Sequence, residues 1–468
     1  MTRGIQVEAL RAKLAQAGQE HLLAFWDELD GSSQERLAEQ LDSLDLDQIT
    51  RLYQANDAEE DLAAVAMRAE PPPAIRLGAV DNSIEPEAAR QRGEQALRDG
   101  KVGALLVAGG QGTRLGFEHP KGLFPIGPVS QATLFQIHIE KVIATARRYG
   151  KSVPLYVMTS PVTDQETRQF LAEHDRFGLP EEDLFVFCQG TMPAVDIETG
   201  RILLSDKGEL FQSPDGHGGI LKALRKTAAL DDMARRGIEE LFYFQIDNPL
   251  ATICDPEFVG YHMLSGSEYT LQVVGKDSPQ DRLGNVVMVD DQVRIIEYSD
   301  LPDEAAEQRN ADGSLKIWAG SIAVHMLSVD FLSRVADSDA GLPFHRAIKK
   351  VSTIDEAGQA IEPAEPNAMK FEQFIFDLVP MAKQTLSVEV DPAVTFAALK
   401  NPPGAPKETA EYVQRLMGNM HRAWLCQAGA EVADDVAVEV SPLYALDAGQ
   451  LAERIEPGTV VSEDTYFC

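Results

Sequence analysis

Leu105-Leu106-Val107-Ala108-Gly109-Gly110-Gln111-Gly112-Thr113-Arg114-Leu115-Gly116 sets an apolar run directly against a glycine-rich loop that carries an arginine. The run has the length and composition of a buried strand. In an open α/β sheet, ligands bind beyond the carboxyl ends of the strands. Glycines there let the backbone turn tightly and bring N–H groups close to phosphate oxygens. Arg114 adds a planar bidentate donor, and Lys121, in Pro120-Lys121-Gly122, a compact point charge. A generic glycine turn accounts for the glycines but not for two cations in so acidic a chain. Other phosphate loops do not fit. The glycines at 110, 112 and 116 miss the G-x-G-x-x-G spacing, and Gly150-Lys151-Ser152 has Thr145 where a Walker loop needs its first glycine.

The 468 residues carry 74 acidic and 42 basic side chains, a net charge of −32. That balance opposes non-specific binding to nucleic acid, so an enzyme of anionic substrates must gather its few cations locally. The length allows a large α/β domain with a smaller one beside it. No run of about 18 apolar residues appears, which argues against a membrane span. MTRGIQVEALRAKLAQAG lacks the apolar core of a signal peptide. Cys188, Cys254, Cys426 and Cys468 are too scattered for a zinc site or a disulfide framework, so we expect reduced thiols in a cytoplasmic protein.

Working outward from the loop, residues 1–70 read as a helical N-terminal region. Leu10, Leu14, Leu22, Phe25 and Leu29 recur at roughly helical spacing, and Leu37, Leu41, Leu44, Ile49 and Leu52 suggest a second stretch. Pro71-Pro72-Pro73 then breaks the pattern. Over 71–400 short apolar runs alternate with helical stretches, as in VGALLVAGG, LFQIHIEKVIATARRYG and VPLYVMTS. In the middle one Phe135, Ile139, Val142, Ile143 and Ala146 share a face. NVVMVDDQVRIIEYS reads as a hairpin turning at Asp290-Asp291. The expectation is an α/β fold: a mixed, mostly parallel twisted sheet with flanking helices. NPPGAP opens a small C-terminal domain over 401–468, with a helix carrying Tyr412, Leu416, Met420 and Trp424 and a tail of short strands.

GGQGTRLGFEHPKG resembles the phosphate loop of the eukaryotic-type UDP-sugar pyrophosphorylases, most of all the UDP-N-acetylglucosamine pyrophosphorylase branch. The resemblance extends from about residue 70 to 405. It implies a Rossmann-like nucleotidyltransferase fold and a Mg²⁺-dependent reaction of UTP with a sugar 1-phosphate to give UDP-sugar and pyrophosphate. It also implies that the loop, from Ala108 through Gly109 and Gly110, wraps the UTP phosphates with Arg114 and Lys121. Gln189, in Gln189-Gly190-Thr191-Met192-Pro193, falls where the family's glutamine hydrogen-bonds uracil, and a primary amide offers both donor and acceptor. Gly216 falls at a nucleotide contact and His217 at the bound sugar nucleotide. Asp247, closing the strand YFQID, matches the metal carboxylate, a hard ligand suited to Mg²⁺. Glu297 and Tyr298 match a sugar-contacting pair, Lys370 a lysine reaching the UTP phosphates, and Lys400 a lysine at the sugar-phosphate end. Asp377 is either a second metal neighbour or a structural hydrogen-bonding group.

Two positions depart from the acetylglucosamine branch, which normally has asparagine at both: His217 and Ser321. They leave a glucose-specific or broad-specificity uridylyltransferase as the alternative to N-acetylglucosamine 1-phosphate. The reaction implied needs no protein nucleophile, since the sugar phosphate attacks UTP directly and the protein supplies position and charge. Among rival readings, a glycosyltransferase calls for an Asp-x-Asp metal motif, and the DxD here, Asp45-Leu46-Asp47, lies in the helical N-terminal region. A nucleotide-sugar sensor without turnover has no use for the full set Arg114, Lys121, Asp247, Lys370 and Lys400.

Overall fold

Residues 7–55, 62–338 and 341–468 are described by the computed structural model. They divide into two compact units: residues 1–60, 190–219 and 342–375 form one, and residues 61–189, 220–341 and 376–468 the other.

The larger unit is mixed α/β. Among its described residues ten strands join in one sheet: β1 (Ala74–Ile75), β2 (Val102–Val107), β3 (Leu155–Thr159), β4 (Leu184–Cys188), β5 (Glu240–Gln245), β6 (Tyr269–Gly275), β7 (Gly284–Val289), β8 (Gln292–Ile296), β9 (Ala319–Ser328) and β10 (Thr385–Glu389). The order is β1-β10-β6-β9-β5-β2-β3-β4. The strands β5, β2, β3 and β4 run parallel, with Leu105 opposite Tyr243 on one side and Tyr156 on the other. Their apolar runs are continuous because both faces are covered, as in parallel sheets generally; Ala104, Leu105, Leu106 and Val157 are all inaccessible. β9 runs antiparallel to both β5 and β6, and β7 and β8 add further antiparallel pairs at its edge.

The expected hairpin is β7–β8. Asp290 (φ 50°) and Asp291 (φ 63°) both take left-handed conformations, the geometry that two-residue hairpin turns demand. The helix after the glycine loop, Leu134–Tyr149, starts at Thr133, whose hydroxyl accepts the Gln136 N–H (3.2 Å), and ends at Gly150 (φ 68°). Gly150 therefore serves as a helix C-cap. Phe135, Ile139, Val142 and Ile143 are buried as expected, with Ala146 partly so.

The C-terminal helix is Ala410–Gln427, but its buried stripe is Val413, Met417, His421 and Leu425. Tyr412, Leu416, Met420 and Trp424 lie on this helix as expected, one residue round from that stripe, and are half-buried. Both sets have the same spacing, and a buried histidine concealed the deeper one. Leu425, Val438, Val440, Leu451, Ile455 and Val461 form an apolar cluster of their own.

In the smaller unit the N-terminal helices are Val7–Gln16, Gly31–Asp42 and Leu46–Gln54. The first is shorter than its apolar spacing suggests. Gly18 (φ 67°) breaks it, and two 3₁₀ turns carry Leu22 and Trp26 into the core. Their apolar faces pack with Val195, Ile202, Leu204, Leu210 and Phe371. A three-stranded antiparallel sheet, Val195–Asp196, Ala368–Glu372 and His345–Lys349, joins segments far apart in sequence.

Candidate active site

Adjacent parallel strands deliver their following residues to the same end of a sheet. Here β2 leads into the glycine loop, β3 into Ser160, β4 into Gln189 and β5 into Asp247. The junctions are tied across the strands. The Ala108 N–H donates to the Met158 carbonyl (2.8 Å), that of Ile246 to Val107 (3.0 Å) and that of Gln189 to Thr159 (2.9 Å).

The loop folds back on itself. The Gly112 N–H donates to the His119 carbonyl (2.9 Å) and the Lys121 N–H to the Gly110 carbonyl (3.0 Å), which returns Lys121 to the mouth of β2. Thr113–Leu115 is a 3₁₀ turn closed by Gly116 at φ 72°, a left-handed conformation costly for any side chain with a Cβ. Gly109 faces the end of β4: a Cβ added there would lie 3.2 Å from Gln189 Oε1 and 3.3 Å from Ser160 Cβ. Gln189 is buried, so its amide is held against the glycine loop.

The Lys121 ammonium lies 3.6 Å from Asp247 Oδ2, each side chain less than one-fifth exposed. Lys121 Nζ also donates to the Leu399 carbonyl (3.2 Å), and the Leu399 N–H donates to the Asp247 carbonyl (2.8 Å). The structure thus gathers Gly109, Gly110, Lys121, Gln189, Asp247 and the residue preceding Lys400 at one end of the sheet. Lys400 is half-buried, its ammonium 6.0 Å from the Phe396 ring centre. Arg114 is exposed on the loop and takes no described hydrogen bond or ion pair.

Glu297 and Ser321 come together over Gly284. A Cβ added at Gly284 would lie 3.6 Å from Glu297 Oε1 and 3.9 Å from Ser321 Cβ. Ser321 pairs with both Val273 and Gly284. Just beyond it β9 bulges: Ala323 is left-handed (φ 56°), and its N–H donates to Ser321 Oγ (3.3 Å). Tyr298 is half-exposed.

Gly216, His217 and Lys370 belong to the smaller unit. Gly216 (φ 83°) presses on the Gln373 backbone, which a Cβ would approach to 2.3 Å. His217 Nδ1 accepts the Ile375 N–H (3.0 Å), which places the proton of the neutral ring on Nε2. Burial and the neighbouring His345 push the His217 pKa down to about 4, so Nε2–H is a neutral donor at pH 7. Lys370, on the strand Ala368–Glu372, sets its ammonium 5.2 Å from the Phe211 ring centre. Burial lowers its pKa, against the pull of Glu372.

Two site residues escaped the sequence reading. Ser160 donates its hydroxyl to the Gly109 carbonyl (2.8 Å) and fixes the loop, yet in sequence it is only the last letter of VPLYVMTS. Gly284 had one signal, its place at the start of the hairpin. The Asp-x-Asp of the N-terminal region is a helix cap: the Asp45 carboxylate accepts the Gln48 N–H (2.8 Å). Among the described residues, no group of three or more His, Cys, Asp and Glu side chains is placed to hold a metal ion.

The sequence profile of the UTP–glucose-1-phosphate uridylyltransferase family matches residues 48–443. A UDP-N-acetylglucosamine pyrophosphorylase of Saccharomyces cerevisiae is 35% identical over 445 residues, covering 91% of this chain and 92% of its own. A UDP-N-acetylhexosamine pyrophosphorylase-like protein 1 of Xenopus tropicalis is 36% identical over 453 residues, covering 94% and 88%. The crystal structure of the UDP-N-acetylglucosamine pyrophosphorylase of Trypanosoma brucei in complex with an inhibitor superposes with a TM-score of 0.82 at 26% identity, covering 99% of both chains. With the glycine loop, Gln189 and the Lys121–Asp247 pair at one sheet end, this chain belongs to the UTP–glucose-1-phosphate uridylyltransferase family, a family of nucleotidyltransferases.

Proposed function

We propose that the protein joins UTP to N-acetylglucosamine 1-phosphate, forming UDP-N-acetylglucosamine and pyrophosphate. One observation carries the reading: the Lys121 ammonium and the Asp247 carboxylate stand 3.6 Å apart beside a glycine loop at the carboxyl end of the sheet. A cation there neutralises a polyphosphate, and a neighbouring carboxylate suits a metal bound to the same polyphosphate. The relatives named for N-acetylglucosamine point to that sugar.

In this reading a phosphate oxygen of the sugar 1-phosphate attacks the α-phosphorus of UTP. The bond to the bridging oxygen breaks, and pyrophosphate leaves with the electron pair. Charge gathers on that leaving group, where Lys121, Arg114 and Lys370 would offset it. Lys400 would hold the attacking phosphate and reduce repulsion between the two anions. The Gln189 amide would read uracil, Gly216 would contact the nucleotide, and His217, Glu297, Tyr298 and Ser321 would face the sugar.

Pyrophosphorylases of this family generally use a divalent metal. The donor set fits Mg²⁺, which takes one or two protein carboxylates and completes its shell with phosphates and water; here Asp247 would be the protein ligand. Held by Asp247, Mg²⁺ would offset the negative charge of the UTP phosphates. No described helix is long and apolar enough to cross a membrane. None of the four cysteines is joined in a disulfide, and we place the protein in the cytoplasm. We also retain the division into 1–70, 71–400 and 401–468 as a proposal, supported at its C-terminal end by the separate apolar cluster around Leu425 and Leu451.

The test is release of pyrophosphate from UTP and N-acetylglucosamine 1-phosphate with Mg²⁺, omitting each component in turn. Release that needs all three supports the proposal. Release from UTP alone, or none at all, overturns it.

A further inference from the structure

Asn248 follows Asp247 and is buried, yet no part of the chemistry above uses it. Its amide reaches one distant segment from both ends, and Oδ1 also accepts the Leu250 N–H of its own turn (3.3 Å). Nδ2 donates to the Thr395 carbonyl (2.9 Å), and Oδ1 accepts the Ala397 N–H (2.9 Å). Two residues further on, the Leu399 N–H closes on the Asp247 carbonyl (2.8 Å), and the next residue is Lys400. Residues 395–400 are therefore zipped onto Asp247-Asn248 by three hydrogen bonds in a row.

The other side of the same turn is fixed as firmly. From the helix Leu134–Tyr149, His138 Nε2–H donates to the Ile246 carbonyl (3.1 Å), and Lys141 Nζ donates to the carbonyls of Pro249 (2.5 Å) and Ala251 (2.9 Å). The helix holds the turn, and the turn holds the Lys400 segment. Thr395 ends the short helix Pro392–Thr395 and residues 396–400 lie in neither helix nor strand, so the Asn248 amide supplies what a strand neighbour would.

We infer that Asn248 is a positioning residue that sets Lys400 relative to Asp247, so that attacking phosphate and UTP are held in one frame. The inference rests on the roles proposed for Asp247 and Lys400. Geometry of this kind is costly to lose, since a displacement of about 1 Å can lower turnover about 10²-fold. Ala at 248 lacks both the donor and the acceptor. Asp at 248 keeps the acceptor for Ala397 but sets an oxygen against the Thr395 carbonyl.

The experiment is a double-mutant cycle between Asn248→Ala and Lys400→Ala, read as kcat/KM for N-acetylglucosamine 1-phosphate per folded molecule, with the folded fraction taken from thermal melts. Equilibrium binding of UTP without sugar phosphate is measured alongside. We expect Asn248→Ala to lower kcat/KM about 10- to 100-fold while UTP affinity changes less than about twofold, within the half kilocalorie expected of a site not in contact. Asn248→Asp should not restore activity. In the Lys400→Ala background the Asn248→Ala loss should nearly vanish. Full additivity of the two losses, or an equal fall in UTP affinity, would overturn the inference and leave the roles of Asp247 and Lys400 standing. Normal turnover in Lys400→Ala would remove Lys400 from the site and the inference with it.

Discussion

Lys121→Ala and Asp247→Asn should each disable turnover, and should do so as a coupled pair. At 3.6 Å the Lys121–Asp247 attraction is about 4.6 kcal/mol at an effective dielectric constant of about 20, and about 1.2 kcal/mol in bulk water. Both side chains are mostly shielded, but the separation exceeds a hydrogen bond, so a coupling of about 1–3 kcal/mol is the reasonable range. Loss of one preorganised contact to a reacting oxyanion costs about 2.7–4 kcal/mol, or 10²- to 10³-fold in rate. Steady-state kinetics at saturating UTP should show that fall in each single variant. The double variant should lose less than the product of the two, by a factor of about 5 to 150. The fold should survive, because the hydrogen bond from the Leu399 N–H to the Asp247 carbonyl is a backbone contact that both substitutions leave intact. Near-normal turnover in Lys121→Ala, or strict additivity, would refute the placement of the pair at the reacting phosphates.

Further outcomes follow from the same geometry. Asp247→Asn should raise the Mg²⁺ concentration needed for half-maximal activity, because a neutral amide is a poorer ligand for a hard cation; an unchanged Mg²⁺ titration, or full activity in excess EDTA, removes Asp247 as metal ligand. Ser321→Asn should sharpen the preference for N-acetylglucosamine 1-phosphate over glucose 1-phosphate, since a longer amide facing Glu297 offers polar contacts that the acetylated sugar can satisfy; unchanged ratios of kcat/KM argue against Ser321 as a selectivity residue. Stability should fall on acidification: burial pushes His138 and His421 down to about 3 in the folded state, against 6.5 for free histidine. The unfolded chain then binds more protons between about pH 6.5 and 3, so each ring removes up to about 1.4 kcal/mol per pH unit in that window. Denaturant melts of His421→Gln between pH 7 and 5 should show a shallower slope than the parent, and identical slopes would contradict the burial argument.

The strands and the loop were legible because their signals are local. Leu105-Leu106-Val107 must be buried on both faces, Asp290-Asp291 sits between two β-rich runs, and a glycine loop after a strand has few other uses. What was not legible depends on partners far away in sequence. Nothing in Ala319–Ser328 announces that it runs antiparallel between β5 and β6, or that Ala323 turns left-handed to make a bulge. The smaller unit joins residues before 60 to 190–219 and 342–375, a grouping that no consecutive reading of the chain supplies. The C-terminal helix was legible from Tyr412, Leu416, Met420 and Trp424, whereas the fully buried stripe beside them contains His421, which apolar spacing passes over. At the site, the charged and glycine positions were nameable from the resemblance. Ser160, Gly284 and Asn248 act through backbone carbonyls, close approaches and chain crossings, which composition does not encode.

Initial rates of UDP-sugar formation by the purified wild-type protein with UTP, Mg²⁺ and a panel of sugar 1-phosphates, compared as kcat/KM, decide both the reaction and the sugar. The highest value is expected for N-acetylglucosamine 1-phosphate, with measurable use of glucose or galactose 1-phosphate because His217 and Ser321 stand where the resemblance to the acetylglucosamine branch implies asparagines. Exclusive use of glucose 1-phosphate would contradict the sugar assignment, and no UDP-sugar from any member of the panel would contradict uridylyl transfer itself.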